Sequence, residues 1–418
     1  MTRVLDVYFA NTKAGRLEQH DDGVLTFKYE SSYLAKSDAC AISVSIPLRE
    51  EPYGNHVTQA YFSGLLPDED ARRRLARSLG VSDANTFHLL EIIGGECAGA
   101  LALIPAGSHQ PEDVEFNPEP LSDKQLAQVL ELLGAHPLLG GMFGVRLSLA
   151  GAQNKLAVCV TQGQISLAKG GHPTTHILKP CMTGLDGTVE NEMFCMRLAK
   201  KVGLPTPEVS MGEVRGMQYY LVERYDRTGG GESAIKRLHQ EDFCQALSVV
   251  PQLKYEDEGG PGVTQSLELI SRATREPASD RLLFLRMLIF HFLIGNADAH
   301  AKNYALLYRT RTPELAPVYD AISTAVYPSM TKRLAMRIGQ RSLPDTIQLK
   351  HWLTLVPNSK PAQRLLMQEL QTVSHNVQEG SAELIEQMRH EGIDHPVISK
   401  IRRVINTRAR HIKNMLNA

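Results

Sequence analysis

Between residues 155 and 225 the sequence sets out strands and a helix in an order that restricts the fold more than any other feature. Residues 155–160 (KLAVCV) and 165–168 flank a turn at 161–164, as the arms of a hairpin do. Residues 176–179 (HILK) read as a short strand closed by Pro180. Residues 191–202 form a helix by the spacing of Phe194, Leu198 and Val202, stopped by Gly203 and Pro205. Residues 208–214 and 217–225 make a second hairpin around Arg215 and Gly216. The order is β-β-β-α-β-β. From about residue 238 the pattern is mainly helical, interrupted at 296–319.

Ahead of this unit, residues 3–9 and 24–29 read as strands, with turns at 11–15 and 21–23. Residues 56–103 look more helical, and 68–79 are rich in helix formers and charge. The stretch 105–120 holds four prolines and several acids, which suits a linker. Ser122 with Gln125 gives a capping-box signature, and Leu126, Val129, Leu130 and Leu133 follow at helical spacing up to Gly134.

The length of 418 residues allows about three domains. The most apolar run, 282–294 (LLFLRMLIFHFLI), carries Arg286 and His291 and is shorter than the roughly 18 residues that suggest a membrane span, so it predicts a buried helix. The N-terminus lacks the apolar core of a signal peptide. Six cysteines without a C-x-x-C pair read as free thiols in a reducing compartment, and a cytoplasmic protein with no membrane partner is expected. The net charge of −1 argues against a whole-protein grip on nucleic acid and leaves room for a local patch.

The densest polar cluster, GNADAHAKNY at 295–304, follows the apolar helix directly. Phosphoryl transfer calls for residue types found here: a carboxylate (Asp298) to take the proton of the attacking hydroxyl, and an amide oxygen (Asn303) with a second carboxylate (Asp320) to hold Mg²⁺. Lys302 would offset phosphate charge. The D-x₄-N spacing equals that of a protein-kinase catalytic loop, although Asp and Asn after a helix also serve as caps and turns. Lys179 ends a strand ahead of a helix carrying Glu192, as in the kinase lysine–glutamate pair; a strand-edge lysine and a first-turn glutamate fit equally. SLAGAQNK at 148–155 brings small residues and Lys155 before a strand, which suits either a phosphate-contacting loop or a tight turn. VERYD at 222–226 stands where a two-lobed kinase has its adenine hinge, or is an ordinary strand end.

Taken together these segments resemble the HipA family of serine/threonine kinase toxins, along nearly all of the chain. The carrying motifs are SLAGAQNK (148–155), HPTTHILKP (172–180), LVERYDR (221–227), KYEDEGGPG (254–262), GNADAHAKNY (295–304) and PVYDAIS (317–323), with FSGLLPDE (62–69) and IGGECAGAL (93–101) near the N-terminus. The resemblance implies an α+β fold: a divergent two-lobed protein kinase of the phosphoinositide-kinase-like type, with a small N-terminal α/β domain and a mainly helical C-terminal lobe. The expected divisions are an N-terminal domain at 1–105, a linker and helix at 106–147, the kinase N-lobe at 148–225 and the C-lobe at 226–418. It implies ATP and Mg²⁺ as cofactors, Asp298 as catalytic base, and Asn303 and Asp320 as Mg²⁺ ligands. ATP would meet Ala150, Gly151, Ala152, Gln153, Asn154 and Lys155, with Lys179 on its phosphates and Glu223, Arg224 and Tyr225 at the hinge. His300, Ala301, Lys302, Asn303, Tyr319 and Asp320 would line the nucleotide. Some members carry Gly where this chain has Ala299, a difference that should not touch the chemistry.

The resemblance further implies self-inactivation by autophosphorylation at Ser148, where the added negative charge would compete for the groups meant for ATP phosphates. It implies an aminoacyl-tRNA synthetase, of the glutamyl type, as substrate, and a HipB-like helix-turn-helix antitoxin that holds operator DNA. Two alternatives are a catalytically silent co-repressor and a small-molecule kinase of similar fold. The last helix repeats Ile398, Ile401, Ile405, Ile412 and Met415 on one face, with Lys400, Arg402, Arg403, Arg408, Arg410 and Lys413 between them. That pattern fits a packed helix with a solvated basic face, or phosphate contact beside an operator-bound partner.

Overall fold

The computed structural model describes residues 2–108, 119–140, 142, 144–151, 153–168, 172–230 and 233–417. Most of the expected linker, and Ala152, lie outside the described residues. The fold is α+β, and its contacts divide it into two units. The first is Met1–Pro180, Gly212–Gln252 and Ala305–Pro313; the second is Cys181–Met211, Leu253–Tyr304 and Glu314–Ala418.

The first unit opens with β1 (Arg3–Phe9), β2 (Thr12–Gln19), β3 (Leu25–Tyr29) and β4 (Leu101–Pro105), in sheet order β3-β2-β1-β4. Two sequence expectations change here. Residues 12–15, read as a turn, belong to β2, and the reversal falls at Ala10, whose φ is 49°. The polar residues of β2 suit a strand because their charges meet cross-strand partners: Lys13 pairs with Asp6 at 2.7 Å and Arg16 with Glu30 at 3.0 Å. The helical reading of 56–103 holds for Asn55–Gly64, Glu69–Leu79 and Thr86–Ile93 and fails at β4. A short, wholly apolar run carries no period that separates a buried strand from a buried helix.

The second sheet is β5 (Leu156–Thr161), β6 (Gln164–Leu167), β7 (His176–Pro180), β8 (Val209–Val214) and β9 (Met217–Glu223), in order β6-β5-β7-β9-β8. The sequence placed these strands to within a residue or two. Both sheets feed one core, where Val7, Phe27 and Leu103 join Leu156, Leu178 and Leu221. The helix Asp123–Leu132 adds Leu126 and Val129 and carries the expected capping box between Ser122 and Gln125. The mainly helical reading beyond 238 misses the antiparallel pair His239–Asp242 and Ala305–Tyr308. Strands of four residues are too short to show alternation.

In the second unit the apolar helix Pro277–Ile294 is buried along most of its length. The helices Val263–Ala273, Lys360–His390 and Pro396–Asn417 pack on it. Arg286 reaches out of this apolar run to Glu369 in a two-pronged ion pair at 2.7 and 2.8 Å, which lets a charge sit on a core helix. The helix Thr188–Lys201 begins three residues earlier than its apolar spacing indicates, after Gly187 in the left-handed region at φ 67°. Among the described residues no helix is long and apolar enough to cross a membrane, and no cysteine forms a disulfide.

Candidate active site

The helix Pro277–Ile294 ends at Gly295, whose φ of 73° places it in the left-handed region. A Cβ there would stand 2.7 Å from both Ala325 Cβ and Val404 Cγ1, so only glycine allows the close turn. Asn296, fully buried, closes the helix: its N–H donates to His291 O at 2.9 Å and its amide lies 3.1 Å from His291 Nδ1. Asn296 Oδ1 accepts the N–H of Asp298 at 3.0 Å. Burial lowers the His291 imidazole to about 4, so it stays neutral and bonds as a neutral ring.

Asp298 is half-buried, and the Tyr255 hydroxyl donates to its Oδ1 at 2.7 Å. The loop then folds into a short 3₁₀ turn, Ala301–Asn303. His300 N donates to Asp298 O at 2.8 Å and to Asn303 Oδ1 at 3.2 Å, and Asn303 N donates to His300 O at 2.9 Å. His300, Ala301, Lys302 and Asn303 are all buried. The Tyr319 hydroxyl donates to Lys302 O at 2.7 Å, and Asn303 Nδ2 reaches Asp320 Oδ2 at 3.5 Å. Asp320 holds φ at 57°, a costly conformation for a residue with a side chain. Its position is fixed from behind: Asn191 exchanges bonds with Ser323, accepting its N–H at 2.8 Å and donating to its carbonyl at 3.0 Å. One compact loop system therefore gathers Asp298, His300, Ala301, Lys302, Asn303, Tyr319 and Asp320.

Among the described residues no three His, Cys, Asp or Glu side chains cluster tightly enough to hold a metal by themselves. The Asn303 amide beside the Asp320 carboxylate is a hard-oxygen donor pair, and Asn303 Oδ1 has a second lone pair beyond the one that accepts from His300. Such a pair fits Mg²⁺, which takes one or two carboxylates together with substrate phosphates.

The remaining expected residues lie in the first unit. Ser148 is fully buried; its hydroxyl donates to Leu65 O at 2.6 Å and its N–H to Glu96 O at 2.7 Å. Beyond it, Lys155 folds back so that its Nζ donates to Ala150 O at 2.7 Å. Gly151, at φ 108°, makes room, since a Cβ there would stand 2.4 Å from that Nζ. Gly151 O accepts from Asp68 N at 3.2 Å, and Asn154 Oδ1 from Arg74 at 2.9 Å; Gln153 is half-buried on the same loop. Lys179 is buried on β7, its Nζ 5.7 Å from the centre of the Tyr220 ring.

At the end of β9, Glu223 is exposed, and the Tyr225 hydroxyl donates to Gln240 Oε1. Arg224 lies in a buried ionic network. It bonds Asp226 at 2.9 and 3.0 Å, Thr174 Oγ1 at 2.9 Å, Cys97 O at 3.2 Å and Glu96 Oε1 at 3.3 Å. Its main-chain N–H already donates to Thr175 O at 2.9 Å. The guanidinium is thus committed to holding the strand end. Glu96, Tyr255 and Asn191 are site-supporting residues that reading for catalytic types passes over, whereas Asn296 stands in the GNADAHAKNY motif. Glu96 and Tyr255 do lie inside the IGGECAGAL and KYEDEGGPG motifs, which is the signal that marks them.

Residues 147–388 match the HipA-like C-terminal domain family, and residues 5–104 match the HipA N-terminal domain. A Sinorhizobium fredii protein named as a candidate kinase, Y4mE, is 39% identical over 387 residues, 92% of each chain. The serine/threonine-protein kinase toxin HipA of Shewanella oneidensis is 29% identical over 395 residues, 92% of this chain and 90% of that one. A chain from the Shewanella oneidensis complex of HipA, HipB and operator DNA matches this structure with a TM-score of 0.84 at 26% identity. The match covers 99% of this chain and 97% of that chain.

Proposed function

The chain belongs to the HipA family, and on that premise we propose that it is an ATP- and Mg²⁺-dependent serine/threonine protein kinase acting as the toxin of a toxin–antitoxin pair. The α+β, kinase-like fold is that of the HipA toxins. The observation that carries the reading is the loop system itself: Asp298 fixed at one point, and five residues on an asparagine amide set against the Asp320 carboxylate.

In this reading Asp298 takes the proton of a serine or threonine hydroxyl. The hydroxyl oxygen forms its bond to the γ-phosphorus while the bond from that phosphorus to the bridging oxygen breaks, releasing ADP. Asn303 and Asp320 would hold Mg²⁺, which when bound offsets charge on the phosphate oxygens. Lys179 and Lys155 would meet phosphates, helped by main-chain N–H groups of 150–154. Glu223 and Tyr225 would lie near the adenine, with His300 and Tyr319 lining the nucleotide. Arg224 acts by fixing the strand end.

Ser148 would be the autophosphorylation site. A phosphate carries about −1.5 to −2 charges, and the Ser148 hydroxyl is buried and already donates to Leu65 O, so phosphorylation would displace the loop and silence the kinase. The same reading supplies a cytoplasmic location for the chain, a HipB-like helix-turn-helix antitoxin, operator DNA held through that antitoxin, and an aminoacyl-tRNA synthetase of the glutamyl type as substrate. The HipA, HipB and operator DNA complex of the structural relative supports the partner.

The test is transfer of labelled γ-phosphate from ATP with Mg²⁺, by wild type and Asp298→Asn, on the protein itself and on lysate. A positioned base contributes roughly 10²–10⁴-fold in rate, so the variant should lose nearly all transfer and any growth toxicity. Undiminished transfer by the variant would refute the assignment.

A further inference from the structure

The segment KYEDEGGPG has no part in the mechanism above, yet it is fastened to the catalytic loop at several points. Lys254 is buried, and its carbonyl accepts from Ala301 N at 3.4 Å. Glu256 N donates to Ala335 O at 3.2 Å, while Ala335 N donates to Ala297 O at 3.0 Å. The Glu256 carboxylate accepts Arg337 N at 2.5 Å. These bonds close a ring around residues 297–301.

Gly260 holds the segment in this fold. A Cβ on Gly260 would stand 1.9 Å from Leu253 O and 2.8 Å from Tyr255 O, and one on Gly262 would stand 2.6 Å from the Glu256 carboxyl carbon. The turn therefore tightens onto Tyr255, whose carbonyl accepts Gly260 N at 2.9 Å and Glu258 N at 3.0 Å. What the turn presents is the Tyr255 hydroxyl, 2.7 Å from Asp298 Oδ1, with the ring edge-on to His300 at 5.1 Å.

We infer that Tyr255 is a positioning residue for phosphoryl transfer, holding the Asp298 carboxylate at a fixed angle to receive the substrate proton. The inference rests on the kinase reading and deepens it. An aspartate has two soft side-chain torsions, and a phenol bonded to one oxygen removes that freedom before substrate arrives. Pre-organisation of this kind acts on the chemical step and leaves nucleotide binding alone.

Tyr255→Phe keeps the ring and its packing and deletes only the donor. A hydrogen bond to a charged group supports roughly a 10- to 100-fold effect, so kcat should fall by about that factor, with KM for ATP changed less than about twofold and the melting temperature at the wild-type value. Gly260→Ala, whose Cβ would press on Leu253 O and Tyr255 O and shift the turn while leaving the Tyr255 side chain chemically intact, should lower kcat in the same sense. The inference is overturned if wild type transfers phosphate and Tyr255→Phe transfers it at the same kcat. It is equally overturned if the variant's defect lies in KM for ATP, or follows a loss of folded protein. Absence of transfer by wild type itself would instead bring down the kinase reading, and the inference with it.

Discussion

Replacing Glu96 by Gln tests whether the N-terminal domain holds β7 and β9 in place. Glu96 is 1% exposed and lies in the N-terminal domain. Its Oε1 accepts from Thr174 N at 2.8 Å, the Thr174 hydroxyl at 3.1 Å, Arg227 at 2.8 Å and Arg224 at 3.3 Å. Its main chain meanwhile pairs with 146–148: Glu96 N donates to Arg146 O at 2.9 Å and Ser148 N to Glu96 O at 2.7 Å. One residue thus fastens the Ser148 segment, the start of β7 and the end of β9.

Burial alone would raise the Glu96 carboxyl, but Arg224, Arg227 and Arg237 outweigh it and hold it below the usual carboxylate range. The network of Glu96, Asp226, Arg224 and Arg227 is close to neutral. Glutamine keeps the shape, removes one negative charge and leaves two buried guanidinium groups sharing one carboxylate. Removing one partner of a buried ion pair costs roughly 3–5 kcal/mol.

Tryptophan fluorescence would not read this locally, because the chain's one tryptophan, Trp352, lies in the second unit. Amide hydrogen exchange of Gly99, Ser148 and Thr174 does, since these donate to Asp226 Oδ2, Glu96 O and Glu96 Oε1. Expected is exchange roughly 10²- to 10⁴-fold faster in the variant, by the opening energy just given. The further change Arg227→Met, by removing the unpaired charge, should recover part of the loss. Exchange within about threefold of wild type at all three amides would refute the reasoning, and the network would then be only a consequence of the fold.

Ser148→Ala should abolish most self-phosphorylation while leaving ATP affinity intact, at a cost of about 1–3 kcal/mol for the orphaned Leu65 carbonyl. Intact mass after incubation with ATP and Mg²⁺ reads the first part; unchanged incorporation would move the modification elsewhere. His291, lowered to about 4 by burial, binds fewer protons folded than unfolded, where its value is about 6.5. Its contribution to stability is therefore complete above about pH 6.5 and is lost as pH falls toward 4. Trp352, whose ring meets Phe292 edge-on at 5.7 Å, reports on this unit, and urea midpoints should drop over that window less in His291→Gln than in wild type. Equal slopes would show that His291 does not carry the effect.

Much of the loop system was legible because the residue types and spacing that phosphoryl transfer would call for single out residues that the structure brings together. Asp298, Asn303 and Asp320 are acids and an amide of the expected types, and their spacing along the chain could be read before any turn that joins them was known. The strands 156–161, 176–180 and 217–223 were legible because each alternates or ends on a proline or turn pair. Residues 12–15 and β4 were not, because pairing partners distant in sequence decided them. The role of Arg224 was not legible either, since a hinge arginine and a buried structural arginine look alike until Glu96 and Thr174 are brought beside it.

The sequence by itself determined the residue types of the loop system and the order of strands and helix between residues 155 and 225, since residue type and local period are properties of the chain alone. Tertiary structure decided which groups are free to act. Burial at Ser148, the left-handed backbone at Asp320, the Tyr255 bond to Asp298 and the commitment of Arg224 all depend on residues tens of positions away. Those meet only when the apolar surfaces of the helices and sheets close on one another.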